Sequence, residues 1–172
     1  MARNVNVSPK DYLDEAQNRA TSADRLDILA ESQWEFVRAA VAANPNASPL
    51  TLAGLVPPGN RPLDEAIAVA IAKRAEAPAV ALRRLAARFG HTTNRSGRNV
   101  GFELGFALLG NPATPIEICR ELLAPHRSTP HFRSKVAATN ARPDVLSILC
   151  NDASEKVRKR ALAAMSILTI EK

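Results

Sequence analysis

Cys119, His126 and His131 bring metal-ligating side chains close together in sequence. One thiolate and two imidazoles could contribute to a zinc site, which takes four such ligands in a tetrahedron. No fourth ligand lies close by, and the spacing fits no zinc-binding pattern. The expectation is that these three hold no metal and that His126 and His131 sit on an exposed link. Adjacent carboxylates, Asp14/Glu15 and Asp64/Glu65, could serve as acid and base. Each pair is instead expected at or near a helix start, where negative charge meets the positive end of the helix dipole. No glycine-rich phosphate loop, Gly-x-Ser-x-Gly elbow, Walker motif or His-Glu-x-x-His pair occurs. Neither catalysis nor a cofactor is expected.

Charge is the remaining chemistry. The chain has 23 Lys and Arg against 17 Asp and Glu, a net charge of +6. Residues 1–60 hold five basic and seven acidic groups, whereas residues 61–172 hold eighteen and ten. The densest stretch, 73–98, sets Lys73, Arg74, Arg83, Arg84, Arg88, Arg95 and Arg98 against Glu76 alone. A second cluster is Lys156, Arg158, Lys159 and Arg160. At about 100° per residue, Lys156, Lys159 and Arg160 share one helix face, and Val157, Ala161, Ala164 and Met165 share another. With Arg120 and Arg133 from the intervening helices, these groups form the candidate binding surface: Lys73, Arg83, Arg84, Arg88, Arg95, Arg98, Arg120, Arg133, Lys156, Lys159 and Arg160. Such a surface could be a ridge for phosphates; the same charges also serve simply as a solvated face. Phe89, Phe102 and Phe106 read as core, which leaves no interleaved aromatics for base stacking.

What must position these groups is an internal repeat. Asn44-Pro45-Asn46-Ala47-Ser48-Pro49 returns as Asn111-Pro112-Ala113-Thr114-Pro115. Eight and eleven residues after Asn18, Asn44, Arg74 and Asn111 fall Leu26/Leu29, Leu52/Leu55, Leu82/Leu85 and Cys119/Leu122. A fifth copy runs from Ala141 through Leu146 to Leu149 with its first residues blurred. Each unit continues into an alanine-rich helix, such as Val37 to Ala43 or Val157 to Ala164. The apolar spacing is helical throughout, and no stretch alternates with period two. Proline after asparagine ends one helix, and Ser22, Ser48 and Thr114 are placed to cap the next, with Pro49 and Pro115 at its first position. Asp24, Asp64, Glu65, Glu117 and Asp144 then occupy first turns. The expected fold is all-α, an α-solenoid of about five degenerate helical pairs over approximately 16–43, 44–73, 74–110, 111–138 and 139–165, with some first helices as 3₁₀ turns. The first four starts lie 26, 30 and 37 residues apart, which means loops of unequal length. The polar insertion from Gly90 to Asn99 is the expected functional loop.

These residues resemble the variant leucine-rich repeat family of bacteria. Asn44 to Leu55 and Asn111 to Leu122 match its Asn-Pro-x-Thr-Pro-x-x-x-Leu-x-x-Leu part, and Val37 to Ala43 and Val157 to Ala163 its Val-Arg-x-Ala-Val-Ala helix. The resemblance covers roughly residues 16 to 165. It implies an α-superhelix of alternating α and 3₁₀ helices, similar to HEAT and armadillo stacks, with no general catalytic residues. Some members hold an iron–sulfur centre in a cysteine cluster ahead of the repeats; this chain has no cysteine before Cys119, so that feature does not carry over. HEAT-like folds include DNA glycosylases with several aromatics and an acid in a groove. With one Trp, one Tyr and five Phe, that reading would need a polar cleft and an acid beside Trp34.

A chain of 172 residues, 46% hydrophobic and 23% charged, suits one globular unit. Cys119 and Cys150 occupy apolar helix positions and are expected to be small, unpaired core residues. No apolar run nears the ~20 residues of a membrane span, and residues 1–7 lack the apolar core of a secretory signal, so a cytoplasmic protein is expected. The functional expectation is a non-enzymatic scaffold that binds another protein. The alternative is sequence-nonspecific binding of nucleic-acid backbone through the basic region 73–160.

Overall fold

The computed structural model describes residues 8–59, 61, 63–90, 99–140 and 142–170. Among them the chain is helical, with no strand. Arg95, Arg98, His91 and the body of the Gly90–Asn99 insertion lie outside the described residues.

The helices are α1 (Pro9–Gln17), α2 (Ala23–Ala30), α3 (Glu35–Ala43), α4 (Pro49–Gly54), α5 (Asp64–Ala72), α6 (Ala79–Phe89), α7 (Asn99–Gly110), α8 (Ile116–Leu123), α9 (Pro130–Thr139), α10 (Pro143–Leu149) and α11 (Glu155–Ile170). They pack in two rows. The odd-numbered helices stack in order from α1 to α11, and the even-numbered ones stack in order from α2 to α10. One continuous apolar cluster runs between the rows from Ala16 to Ala161. The repeat positions Leu52, Leu55, Leu82, Leu85 and Leu122 are all buried in it, as their spacing predicts. Alanines supply much of the odd row's interior (Ala16, Ala42, Ala68, Ala72, Ala137 and Ala161), where a small side chain lets neighbouring helices approach closely.

The asparagines mark the joints. A helix ends with carbonyls that have no partner within the helix. Asn44, the cap of α3, donates its amide to Ala16 O at 2.7 Å and Asn18 O at 2.9 Å, at the end of α1. Asn111 donates to Ala72 O and Arg74 O at 2.8 and 2.7 Å, at the end of α5. Asn140 donates to Leu109 O of α7 at 3.0 Å. In each case the amide oxygen accepts the backbone N–H two residues on, at Asn46, Ala113 or Arg142, which shapes the turn into the next helix. Arg74 holds the asparagine place in the third unit. Its guanidinium reaches Asn44 O and Pro45 O, so a cation at a helix C-terminus replaces the amide. Asn46 and Arg142, each two residues after a joint asparagine, add further bonds to the preceding turn.

Several expectations change. Ser22 and Ser48 cap α2 and α4 as predicted. Thr114 does not cap α8: the cap residue is Pro115, one place later, and Thr114 is buried in the turn. The two Asn-Pro copies differ in length by one residue, yet α4 and α8 both begin five residues after their asparagines, so Thr114 aligns with Ala47 rather than Ser48. The fifth unit begins at Asn140, not Ala141. Its helix starts three residues later instead of five, and that shortened turn is what blurs the repeat. The even-row helices are α-helices rather than 3₁₀ turns; even the shortest closes Leu55 N–H onto Thr51 O. Finally, α1 precedes the first repeat. Its signal is Ser8-Pro9-x-Asp11, a capping box in which Ser8 and Asp11 each accept the other's backbone N–H.

Candidate functional site

Helix α4 has six residues, whereas its neighbour α6 has eleven. At 1.5 Å per residue α4 is only about 9 Å long, and the chain then turns aside through Val56-Pro57-Pro58-Gly59. A groove opens over α4 as a result. Its volume is about 650 Å³, within the ~300–1,000 Å³ usual for ligand clefts.

The turn that opens the groove is held from two sides. Gly59 has φ of 94°, a conformation that L side chains rarely adopt. Asp64, buried at the start of α5, accepts the backbone N–H of Gly59 at 2.7 Å and of Arg61 at 3.1 Å. From the other side Arg88 of α6 donates to Pro57 O at 2.6 Å and Val56 O at 3.2 Å.

The groove floor is apolar, with Ala53, Leu55, Val56 and Ile67. Leu50 stands at its edge with 81% of its surface exposed. Asp27 and Glu31, at the end of α2, form one wall, and Arg84 of α6 forms the opposite one. Asp27 accepts a hydrogen bond from the Thr51 hydroxyl. Arg38 is committed to Ser32 O at 2.6 Å, and Arg61 lies 3.8 Å from Glu35. The Arg84 and Glu31 side chains make neither hydrogen bond nor ion pair among the described residues. Gly54 lines the groove too, and a Cβ placed there meets nothing within 4 Å.

The sequence-predicted basic surface is only partly assembled. Arg83, Arg84 and Arg88 on α6 and Arg120 on α8 lie on neighbouring helices of the even row. Lys73 ends α5, and Lys156, Lys159 and Arg160 lie on α11 of the other row, with α7 and α9 between them. On α11 the basic face is exposed and Val157 and Ala161 are buried, as the periodicity predicts. Three of the surface cations are paired: Lys73 with Glu103 at 2.5 Å, Arg83 with Glu117 at 2.5 Å and Lys159 with Glu155 at 2.7 Å. Glu117's own backbone amide, helped by the Arg83 guanidinium, holds its carboxyl below the ordinary range. Arg160 donates to the Ser134 hydroxyl at 3.0 Å.

Arg133 is not on the surface. It is 2% exposed, donates to Asp152 at 2.6 Å and to Ser128 O, and so ties α9 to the turn before α11. Its placement on α9 turns it inward, where a carboxylate and a carbonyl satisfy it. Burial pushes the Asp152 carboxyl up, but the hydrogen bonds from Arg133 and Ser154 N–H outweigh it, and the group sits below its ordinary value.

Of the other chemistry-bearing residues, Cys119 is buried and Cys150 half-buried, both as free thiols. Burial pushes the Cys119 thiol above its ordinary value. His126 and His131 are exposed; His131 stands edge-on to Phe102 at the start of α9. Among the described residues no three His, Cys, Asp or Glu side chains gather as a metal site. Nor is any described helix long and apolar enough to cross a membrane. Trp34 stacks on Phe36 and lines a smaller cleft of about 270 Å³ with Tyr12, Gln33 and Glu31. The cation there, Arg25, is locked to Glu15 by two bonds of 2.6 and 2.9 Å.

The groove was not legible as a site from the sequence. Its signal is the Pro-Pro-Gly break after only six helical residues, together with an exposed leucine and oppositely charged residues on the flanking helices. No protein-family model, curated protein or solved structure matches the chain.

Proposed function

We propose that this protein is a non-enzymatic helical-repeat scaffold, an α-solenoid of the variant leucine-rich repeat kind, that binds another protein through its even-helix face. The single observation that carries this reading is the groove over α4: a cleft with an apolar floor, an exposed leucine at its edge and unpaired charge on both walls. The two rows of helices and the asparagine joints support the repeat assignment. A rigid stacked framework of this type holds a concave surface in place without the surface residues having to stabilise it.

The test is a photo-crosslinker installed at Leu50, with Ala66 on the exposed side of α5 as the control position. A discrete protein adduct from position 50 that is absent from position 66, and lost when Gly54→Phe fills the groove, supports the reading. Equal labelling from both positions, or an adduct indifferent to Gly54→Phe, overturns it.

Binding of nucleic-acid backbone is the second reading. It is favoured by Arg84 and Arg120, which are exposed on adjacent helices and form no ion pair among the described residues. It ranks behind because Lys73, Arg83 and Lys159 are neutralised locally. Duplex binding that survives Gly54→Phe and falls steeply with salt, by about 0.9 log units per phosphate neutralised for each tenfold rise in salt, would put this reading first.

A further inference from the structure

We infer that the groove over α4 binds an extended peptide segment with an acidic, an apolar and a basic side chain at alternate positions; this rests on the protein-binding reading above. The acidic group pairs with Arg84, the apolar one enters the floor beside Leu50 and Leu55, and the basic one pairs with Glu31 and Asp27.

Three observations lead here. The first is polarity. Arg84 stands on the α6 wall and Glu31 on the α2 wall, and neither side chain has a hydrogen-bond or ion-pair partner among the described residues. A guanidinium with free donors takes a carboxylate in a two-bond fork. The other two arginines of the groove, Arg38 and Arg61, face Ser32 O and Glu35, so a phosphate chain would still meet Asp27 and Glu31 on the far side, where like charge costs affinity. The second is width. The groove runs from α2 across α4 to α6, two steps of the even row. Packed helices lie ~8–10 Å apart, so the outer axes are roughly 16–20 Å apart. A free amino acid cannot reach both walls. An extended chain rises ~3.3 Å per residue with alternate side chains on one face, so five residues place their first, third and fifth side chains towards the groove over about 13 Å, and the long arginine and glutamate side chains close the remainder. The third is Leu50, 81% exposed at the edge of the groove, which a chain lying across α4 would cover.

Fluorescein-labelled pentapeptides test this by polarisation: Glu-Ser-Leu-Ser-Lys and its reverse order, with Glu-Ser-Leu-Ser-Glu and Lys-Ser-Leu-Ser-Lys as like-charge controls. The wild type is expected to bind at least one bipolar peptide tenfold or more tighter than either control. Arg84→Glu should invert that preference towards the doubly basic peptide. Gly54→Phe should abolish binding, with helical circular dichroism unchanged because Gly54 is exposed and a Cβ there meets nothing within 4 Å. Arg84 is exposed, so its reversal reads recognition and not folding. Failure of every peptide at millimolar concentration, equal binding of all four, or indifference to Arg84→Glu would overturn the inference. If the peptides fail while the position-50 adduct persists, the bipolar chemistry is wrong and the protein-binding reading stands. If both fail, the groove is not a protein-binding site.

Discussion

Replacing Asn111 with alanine removes three hydrogen bonds at one joint: those to Ala72 O and Arg74 O, and that from Ala113 N–H at 2.9 Å. Asn111 is 4% exposed, so water cannot readily take its place. At ~1 kcal/mol net per bond, the loss is about 3 kcal/mol. For a chain of this length each kcal/mol moves the melting temperature by roughly 2–4 °C, which gives a fall of roughly 6–12 °C. Asn18 is the internal control. It holds the same place in the first unit but is exposed, and among the described residues its side chain makes only the bond from Ala20 N–H at 2.9 Å. Asn18→Ala should therefore cost under ~0.5 kcal/mol, as a surface change usually does. Asn111→Asp should be worse than Asn111→Ala, because a carboxylate oxygen would then face two carbonyls that need donors. Thermal and urea melts followed by circular dichroism measure all three. Amide exchange at Ala113 should accelerate in Asn111→Ala, since its N–H loses its acceptor. If Asn111→Ala melts with Asn18→Ala, the joint asparagines do not hold successive helices of the odd row together, and the reasoning fails.

Asp152→Asn should cost roughly 3–5 kcal/mol, the usual penalty for leaving one member of a buried ion pair alone, since the Arg133 and Asp152 side chains are 3% and 6% exposed. The folded carboxyl lies below its ordinary value, so its contribution is present above the unfolded value of ~4 and is lost as pH falls through the folded one. Urea melts between pH 3 and 7 should show that acid loss in the wild type and a shallower profile in Asp152→Asn; equal slopes would refute the assignment. Cys119 should resist thiol reagents until the protein unfolds, because burial both shields it and raises its thiol above the ordinary value. Cys150, half-buried, should react first; mass spectrometry of timed samples reads the order, and early modification of Cys119 would contradict its burial.

Much of the fold was legible because its signals are local. A leucine pair three residues apart, an acidic residue in the first turn and a serine cap all act within one or two turns, so Leu26, Leu52, Leu82 and Asp144 could be placed without knowing any neighbour. The joint asparagines were visible as a repeat, but their role was not: the partners of Asn44 and Asn111 lie 26 to 39 residues away. Thr114 and Asn140 show the limit of counting. A turn can gain or lose residues while the helix start is decided by packing against the preceding row.

The candidate surface was less legible for the same reason. A sequence reports how many arginines a helix carries but not which carboxylates stand across from them. Lys73 and Arg83 read as part of a basic ridge, and each is paired with a glutamate from the next helix of its row, Glu103 or Glu117. Arg133 was counted into the basic surface with Arg120; Asp152, nineteen residues on, makes an inward position tolerable. The charge count, the helical periodicity and the repeat belong to the sequence alone. The groove over α4 belongs to tertiary structure, because it exists only where a six-residue helix is flanked by a longer one and by a wall of opposite charge. Each of those contrasts joins elements distant along the chain, and stacking the rows brings them to one place.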